Sequence, residues 1–338
     1  MIKLMEVCGT HTHAIAKYGI KSIIPENIKL ISGPGCPVCV TSQNDIDKAI
    51  WLASQENVIF CTFGDMLRVP GINGNSLEKL KSEGKDIRIV LSPFDSIKIA
   101  QNNPEKKVIF MATGFETTSP TVSATILKVD ELNLKNFFIF STHKLIIPAI
   151  DKLLEDKDLQ IDGFILPGHV SVIIGKEPYE FIAKRYKKAG VITGFEASDI
   201  LKGIYLLLKQ IKEKNFKIEI QYKRAVSKKG NQKALEVLFK VFEPCDSEWR
   251  GIGKIEKSGL KLKKEFEKFD ASLKFNIPEI NSKENPKCIC GEILKGVKEP
   301  LDCKLFKKVC NPLNPVGPCM VSSEGTCAAY FKYTGGVK

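Results

Sequence analysis

Cysteine thiols carry most of the chemistry that this sequence could perform. Three of the eleven cysteines lie within the first forty residues: Cys8 in Cys-Gly-Thr-His-Thr-His, and the pair Cys36 and Cys39 in Gly-Pro-Gly-Cys-Pro-Val-Cys. Thiolates are soft ligands for iron and nucleophiles toward disulfides. Six further cysteines gather near the C-terminus, namely Cys288, Cys290, Cys303, Cys310, Cys319 and Cys327. Two separate groups of thiols predict a redox-active protein with two thiol sites that act together.

The pair Cys36 and Cys39 is spaced for joint chemistry. Two intervening residues allow either a disulfide or the binding of one metal by both sulfurs. A helix is predicted to begin near Ser42, and the positive end of its dipole would lower the thiol pKa values and favour thiolates. The alternative, a pair of buried core cysteines, is disfavoured because Gly-Pro-Gly-Cys-Pro is a poor sequence for a core.

Cys8, His11 and His13 form a second set of possible metal donors. Residues 11 and 13 would share a face in a strand, and all three side chains could converge in a loop. Zinc is an obvious candidate, with Cys36 and Cys39 as the thiols that could complete its ligand set. Histidines that cap a helix or are satisfied in the core are an equal alternative.

The six C-terminal thiols are enough for a metal cluster. The segment from Lys287 onward is rich in Cys, Gly and Pro and has little periodicity, so something other than a large apolar core must hold it. Four thiolates suffice for a cubane iron–sulfur cluster. Zinc is the second candidate metal for these thiols, because structural zinc sites favour pairs of Cys-x-x-Cys motifs and this region has none. A set of disulfides is the least favoured alternative, since thiols are kept reduced in the cytosol. Cys61 and Cys245 lie in apolar surroundings and are predicted to be inert.

Polar residues follow several predicted strands. Asp65 and Arg68 in Phe-Gly-Asp-Met-Leu-Arg, Glu116 in Gly-Phe-Glu-Thr-Thr and His169 in Pro-Gly-His-Val-Ser each come directly after an apolar run. The carboxyl ends of parallel strands are where α/β proteins place site residues. Asp65 and Arg68 could instead form a salt bridge within one loop. Three such strand ends together favour a functional site.

The elements that must position these residues follow an α/β pattern. From residue 28 to about residue 200, short apolar β-branched runs alternate with helix-like segments, which predicts parallel sheets with covered faces. Two similar segments, Gly114-Phe-Glu-Thr-Thr and Gly194-Phe-Glu-Ala-Ser, suggest a duplicated α/β unit. The predicted helices are 43–54, 76–83, 120–129 and 178–188. The predicted strands are 29–32, 58–63, 87–92, 107–113, 137–142, 162–167 and 191–195.

Composition narrows the class of protein. Hydrophobic residues make up 43% and charged residues 27% of the chain, which is ordinary for a globular protein. Neither a secretory signal pattern nor an apolar run of about 20 residues occurs, so we expect a cytoplasmic protein that does not enter the membrane. The net charge of +12 comes mostly from scattered lysines, which favours a solvated face or an acidic protein partner over nucleic acid.

Taken together, the motifs resemble the HypD family of hydrogenase maturation factors. The matching segments run along essentially the whole chain, and so many long motifs in one order make the assignment specific. They are Cys8-Gly-Thr-His11-Thr-His13, Gly33-Pro-Gly-Cys36-Pro-Val-Cys39, Thr62-Phe-Gly-Asp65-Met-Leu-Arg68-Val-Pro-Gly71, Gly114-Phe-Glu116-Thr-Thr, Pro167-Gly-His169-Val-Ser and Met320-Val-Ser-Ser-Glu324-Gly-Thr-Cys327-Ala-Ala-Tyr.

The resemblance implies an assembly scaffold rather than a conventional turnover enzyme. Proteins of this family bind the small partner HypC and build the Fe(CN)2CO unit of NiFe hydrogenases on it. Cyanide arrives from HypE, which obtains it through HypF, and the hydrogenase large subunit is an indirect partner. The resemblance also implies two similar α/β domains around a cleft, expected at 1–97 and 98–210. A mainly helical or irregular C-terminal domain, expected at 211–338, would carry a 4Fe–4S cluster.

The same resemblance assigns roles to individual residues. Those that would hold the iron of the Fe(CN)2CO unit are Cys8, Cys36 and Cys39. Those that would orient the thiols and donate hydrogen bonds to cyanide are His11, Asp65 and Glu116. The implied cluster ligands are Cys303, Cys310, Cys327 and either Cys288 or Cys290, with the fourth position kept open by the additional thiol of Cys319.

A second interpretation uses the same thiols differently. The dithiol of Cys36 and Cys39, supplied with electrons by a cluster, would also suit an iron–sulfur-dependent oxidoreductase that acts on a small disulfide. Such an enzyme would turn over without a partner and would carry no diatomic ligands. A zinc-binding interaction module is a more distant alternative.

Overall fold

The computed structural model describes residues 1–156 and 159–334, which form two compact units. The first unit joins Met1–Val40, Ile146–Gln232 and the described chain from Lys287 onward. The second unit joins Thr41–Leu145 and Lys233–Pro286. Neither unit is one continuous stretch of chain, so residues far apart in sequence meet within each of them.

Strands in the described residues form two parallel sheets and one hairpin. In chain order they are β1 (Ile2–Glu6), β2 (Ile28–Ser32), β3 (Val58–Thr62), β4 (Asp86–Ile89), β5 (Lys107–Ala112), β6 (Phe137–Ser141), β7 (Gly163–Leu166), β8 (Ala189–Ile192), β9 (Ile218–Ile220), β10 (Phe242–Trp249) and β11 (Gly253–Leu262).

Helices lie between most of these strands and also make up the ordered part of the C-terminal region. In chain order they are α1 (Gly9–Lys17), α2 (Ile20–Ile23), α3 (Pro37–Val40), α4 (Gln43–Ser54), α5 (Leu77–Ser82), α6 (Asp95–Asn102), α7 (Ser119–Glu131), α8 (Ile146–Glu155), α9 (Gly168–Ile174), α10 (Glu180–Lys184), α11 (Ala197–Glu213), α12 (Gln232–Val241), α13 (Ala271–Lys274), α14 (Cys290–Leu294), α15 (Pro318–Val321) and α16 (Thr326–Tyr333).

The first unit is built on a five-stranded parallel sheet. Its strand order is β2-β1-β7-β8-β9, so the N-terminal strand sits inside the sheet, between β2 and β7. Leu4, Ile165 and Leu207 belong to one apolar cluster that joins the sheet to helix α11. Because β1 pairs on both edges, the residues that follow it are held on a rigid strand end.

The second unit is built on a four-stranded parallel sheet with the order β4-β3-β5-β6. All five residues of β3 are buried, as expected for a β-branched and aromatic run inside a parallel sheet. The antiparallel hairpin of β10 and β11 adds Phe242 and Leu260 to the core of this unit. Helix α4 begins where Ser42 accepts a hydrogen bond from the Asp45 N–H at 3.1 Å.

The structure confirms the predicted fold class. Two parallel-sheet α/β assemblies are present, together with a small and largely irregular C-terminal region. The helix expected at 43–54 is observed with those bounds, whereas the helix expected at 178–188 is shortened to α10, preceded by a 3₁₀ turn. The predicted strands recur within a few residues of their expected ends.

The predicted domain bounds stay predictions; they are 1–97, 98–210 and 211–338. The two compact units group residues by their contacts, which is a different criterion from continuous stretches of sequence. Strand β3 pairs with β5 across position 97, and β1 pairs with β7 far along the sequence. The C-terminal thiols belong to the same contact unit as Cys8. Within the described residues, no helix has the length and apolar character needed to cross a bilayer.

Candidate functional site

Four neighbouring strands of the first unit end at one edge of their sheet, and each leads into a residue with possible chemistry. In the order β2-β1-β7-β8, the following residues are Cys36, Cys8, His169 and Phe195. Parallel strands bring their carboxyl ends to the same edge, where α/β proteins place their sites. The topology therefore gathers residues separated by more than a hundred positions in sequence.

Cys8 and the loop that carries Cys36 touch through their backbones. The Gly9 N–H donates a hydrogen bond to the Gly35 carbonyl at 2.9 Å. A Cβ atom at Gly35 would lie 2.1 Å from the Cys8 backbone nitrogen, so no larger residue fits there without displacing Cys8. The glycine in Gly-Pro-Gly-Cys is thus required for close approach of the two thiol-bearing segments.

Cys36 and Cys39 are joined by a disulfide, with their Cα atoms 5.3 Å apart. Cys36 precedes the short helix α3 and Cys39 lies within it, so the two sulfurs converge across one turn. The Cys39 N–H also points at the Cys36 sulfur, at 3.2 Å. Of the two arrangements that the spacing allowed, a disulfide or joint binding of one metal, the structure has the disulfide. A thiolate at Cys36 would keep a backbone donor.

Cys8 is a buried thiol in surroundings that oppose its ionisation. Burial raises its pKa to about 12, the Glu324 carboxylate adds to that rise, and backbone N–H groups of His11 and Thr10 partly offset it. The hydroxyl of Thr10 donates to Glu324 at 2.6 Å, which fixes this carboxylate beside the thiol. Cys8 is therefore protonated at neutral pH unless a cation binds and stabilises the thiolate.

Glu6 is a functional candidate that sequence reasoning missed. Its Oε2 accepts the Cys8 N–H at 3.2 Å, and its Oε1 accepts the Thr12 hydroxyl at 2.5 Å. Burial raises the Glu6 pKa to about 8, with the hydrogen bond from Thr12 as the largest opposing effect. The alternation Ile2-Lys3-Leu4-Met5-Glu6 was the available signal, because it marks a strand that ends beside Cys8.

His11 is held by the end of strand β8 rather than by a metal set with His13. Helix α1 replaces the strand or loop that was expected, so the two histidines project differently: His13 contacts Ser323 and Tyr333. His11 Nε2 lies 3.0 Å from the Gly194 carbonyl and 2.8 Å from the Thr193 hydroxyl. A carbonyl can only accept, which places the imidazole proton on Nε2.

We expect His11 to stay uncharged across the physiological pH range. Burial lowers its pKa to about 4, opposed chiefly by the hydrogen bond to Gly194, and burial lowers the His143 pKa to about 3. A proton NMR titration of the four histidines should show these two rings unchanged between about pH 5 and pH 8. The His11→Asn variant identifies the His11 signal, and a midpoint near 6.5 for that signal would contradict the buried placement.

The six C-terminal thiols come together in one small cavity. The lining includes every cysteine of that region, namely Cys288, Cys290, Cys303, Cys310, Cys319 and Cys327. The sulfurs of Cys290 and Cys319 are 2.7 Å apart. Burial raises the pKa of Cys327, and neighbouring thiolates raise it further. A cavity of crowded, protonated thiols favours binding of a cation, which would allow several of them to ionise together.

The donor set fits a cluster better than a single ion. No three His, Cys, Asp or Glu side chains in residues 1–156 and 159–334 are grouped closely enough to hold one metal ion. The thiolates of a cubane bind different iron atoms, so they need to surround a cavity rather than share one point. Six thiols around one cavity, most of them buried, meet that requirement.

The two groups of thiols lie within one contact unit. Helix α3, which carries Cys39, packs against α14 and α15, which carry Cys290 and Cys319. Helix α1, which follows Cys8, packs against α16, which carries Cys327. The C-terminal region is therefore attached to the two segments that present the N-terminal thiols.

The remaining predicted site residues belong to the second unit. Asp65 follows β3 and is exposed, and Glu116 follows the adjacent strand β5 and is buried. Arg68 forms a salt bridge with Glu78, with 3.4 Å between the charged atoms. His169 belongs to the first unit, where it follows β7 and stacks on Phe195 with ring centroids 4.0 Å apart.

The fold and the site define an α/β protein whose chemistry resides in cysteine thiols, held at strand ends and in one cavity. A family model described as "HypD: Hydrogenase formation hypA family" matches residues 1–334. The chain is 48% identical to the hydrogenase maturation factor HypD2 of Bradyrhizobium diazoefficiens over 98% of its length and 89% of the relative. It is 46% identical to the hydrogenase maturation factor HypD of Escherichia coli, again over 98% and 89%.

The chain therefore belongs to the HypD family, and its role is in hydrogenase maturation. The resemblance seen in the motifs is confirmed.

Proposed function

We propose that this protein is a cytoplasmic scaffold on which the Fe(CN)2CO unit of NiFe hydrogenases is assembled. The observation that carries this proposal is the meeting of Cys8 with Cys36 and Cys39 at adjacent strand ends. While Cys36 and Cys39 are joined, no three donors of the described residues are grouped around one point, so reduction of this disulfide must come first. The thiols of these two short segments would then supply soft ligands to one iron and leave positions for cyanide and carbon monoxide. The iron is cargo in this scheme, since it leaves with the finished unit.

The chain's own residues prepare the iron site in stages. Exchange with an external dithiol, which is itself oxidised to a disulfide, converts the Cys36–Cys39 disulfide to two thiols. The Cys39 N–H then supports a thiolate on Cys36. Cys8 gives up its proton only when a cation arrives, because its surroundings disfavour a free thiolate. Iron binding is therefore coupled to proton release at Cys8.

Partner proteins would supply what this chain lacks. A HypC-type protein would contribute a further thiol to the iron, and a HypE-type protein, charged through HypF, would deliver cyanide. His11, whose Nε2 lies 3.0 Å from the Gly194 carbonyl, would orient helix α1 and Cys8, and donation of a hydrogen bond to cyanide stays a proposed role for it. Asp65 and Glu116 keep their proposed role of orienting ligands through hydrogen bonds.

We also propose that the C-terminal cavity holds a 4Fe–4S cluster. Six thiols line the cavity, and a cubane cluster needs four. The proposed ligands are Cys303, Cys310 and Cys327, with either Cys290 or Cys288 as the fourth. Cys319 is a further candidate for that fourth position. When bound, such a cluster exchanges single electrons at a potential set by its surroundings.

The test of the scaffold is infrared spectroscopy of protein purified without oxygen together with a HypC-type partner. Two cyanide bands and one carbonyl band of metal-bound ligands are expected. The Cys39→Ala variant should lose these bands, whereas Cys245→Ala, which changes a thiol of the hairpin in the second unit, should keep them. Absence of all bands while the partner is bound and the cluster is intact would refute the scaffold.

A second candidate function rests on the disulfide itself. Cys36 and Cys39 are joined in the structure, which also suits an iron–sulfur-dependent reductase of a small disulfide. That function predicts steady turnover of a small-molecule disulfide by the isolated chain, without a partner and without infrared bands. The two candidates thus give opposite results in the two assays.

A further inference from the structure

A second cavity of the first unit lies behind Cys8 and is not accounted for by iron chemistry. Its volume is about 860 Å³, within the range of small-molecule sites. Ile15, Leu30 and Ile31 give it an apolar floor, and Tyr330 and Tyr333 form an aromatic wall. A cavity of this size with an apolar floor is shaped for a ring-bearing or branched molecule rather than for water.

The polar groups of the cavity select the charge of its ligand. Glu6, the acidic residue in its lining, already has both carboxyl oxygens engaged, by Thr12 and by the Cys8 backbone. Two lysines also line it. Lys21 is tied to the Tyr330 hydroxyl and to Glu299 at 3.5 Å.

The surroundings of the Lys307 ammonium differ from those of Lys21. The Lys307 ammonium lies over the rings of Phe306 and Phe331, at 5.7 Å and 6.0 Å from their centroids. Within residues 1–156 and 159–334, no acidic side chain forms an ion pair with it. Lys307 is exposed and belongs to the lining of the cavity, so its ammonium is available to an anionic ligand.

We infer that this cavity binds an amphipathic monoanion, with an apolar body on the floor of Ile15, Leu30 and Ile31 and an anionic head at Lys307. The ligand class is a ring-bearing or branched carboxylate or sulfonate. The inference depends on no metal and stands apart from the proposed scaffold function.

The test uses two fluorescent probes with the same aromatic body. The probe 8-anilino-1-naphthalenesulfonate carries one negative charge, and N-phenyl-1-naphthylamine lacks it. The sulfonate should bind the full chain at one site. Replacing Ala16, a small residue of the lining on helix α1, fills the cavity, so Ala16→Phe should weaken both probes by about tenfold or more.

The charge is tested by a matched pair of lysines. Lys307→Gln should weaken the sulfonate by about tenfold and leave the neutral probe within about twofold. Its exposed neighbour Lys308, which does not line the cavity, is the control, and Lys308→Gln should change neither probe. These two surface changes leave the core untouched, so they remain informative if Ala16→Phe fails to fold.

Two outcomes would overturn the inference. Sulfonate binding that survives Ala16→Phe in a folded variant would place the probe outside the cavity. Equal losses from Lys307→Gln and Lys308→Gln would show that the general positive charge, rather than a head site, attracts the anion.

Discussion

Replacing Cys8 with alanine should abolish hydrogenase maturation. In cells that depend on this chain as their only HypD protein, hydrogenase activity is expected to fall by at least about 100-fold, since even residues that merely support a metal ligand contribute 10- to 100-fold. The physical reason is that Cys8 is a buried thiol held at a strand end beside the loop of Cys36. No neighbouring sulfur on helix α1 can take its place.

Two further variants separate sulfur chemistry from shape. Cys8→Ser keeps the size of the side chain and the hydrogen bonds of the helix start, yet it should fail as completely as alanine, because a hydroxyl binds iron poorly. Cys245→Ala alters a thiol in the hairpin of the second unit and should retain activity within about twofold. Normal maturation with Cys8→Ser would show that Cys8 is a structural residue.

Serine substitutions around the C-terminal cavity should distinguish the cysteines that bind a cluster from those that do not. Cys303→Ser, Cys310→Ser and Cys327→Ser are each expected to lose the iron and inorganic sulfide of the purified protein. Among Cys288, Cys290 and Cys319, one substitution should do the same and two should not, because a cubane needs four thiolates and the cavity offers six.

Loss of the cluster should also destabilise the protein. Metal binding contributes directly to folding where the apolar core is small, and the C-terminal region consists mostly of short helices and turns. Thermal unfolding should therefore begin at lower temperature in Cys327→Ser than in a variant that keeps its iron. Full iron content in all six variants, measured by iron and sulfide assay, would refute a cluster in this cavity.

The sequence predicted the parallel sheets well because their strands are short apolar runs. The run Val58–Thr62 is buried at every position, and such a run leaves few alternatives to an interior strand. Helix 43–54 was equally clear, since Ser42 supplies an N-cap and the apolar residues repeat at helical spacing. Patterns of this kind depend only on residues that are close together in the sequence.

Long-range pairing was less accessible to sequence reasoning. Nothing near Ile2–Glu6 indicates that this strand pairs with Gly163–Leu166, so its place inside the sheet was not predicted. His11 was assigned to a strand or a loop because Cys-Gly-Thr-His lacks the usual caps, and the helix forms through tertiary contacts with α11 and α16. Leu262, Phe266 and Phe269 show how a pattern can mislead, because they are buried at a helical spacing although a strand end and a 3₁₀ helix carry them.

The sequence predicted which cysteines group together, but only part of how these groups are arranged in the fold. The grouping of all six C-terminal cysteines agrees with the expectation drawn from their number. The contact between helix α3 and helices α14 and α15 could not be read from residues almost three hundred positions apart. That contact depends on the packing of the whole first unit, which no local pattern encodes.

The position of the first strand has a consequence for biosynthesis. Leu4 pairs with Gly163, so on the ribosome the N-terminal strand waits for well over a hundred residues before its second neighbour exists. The four strands of the second sheet, by contrast, are made consecutively and can pair as they emerge. The chain thus synthesises Cys8, Cys36 and Cys39 early, and the helices that pack on their segments, α14 to α16, are released last.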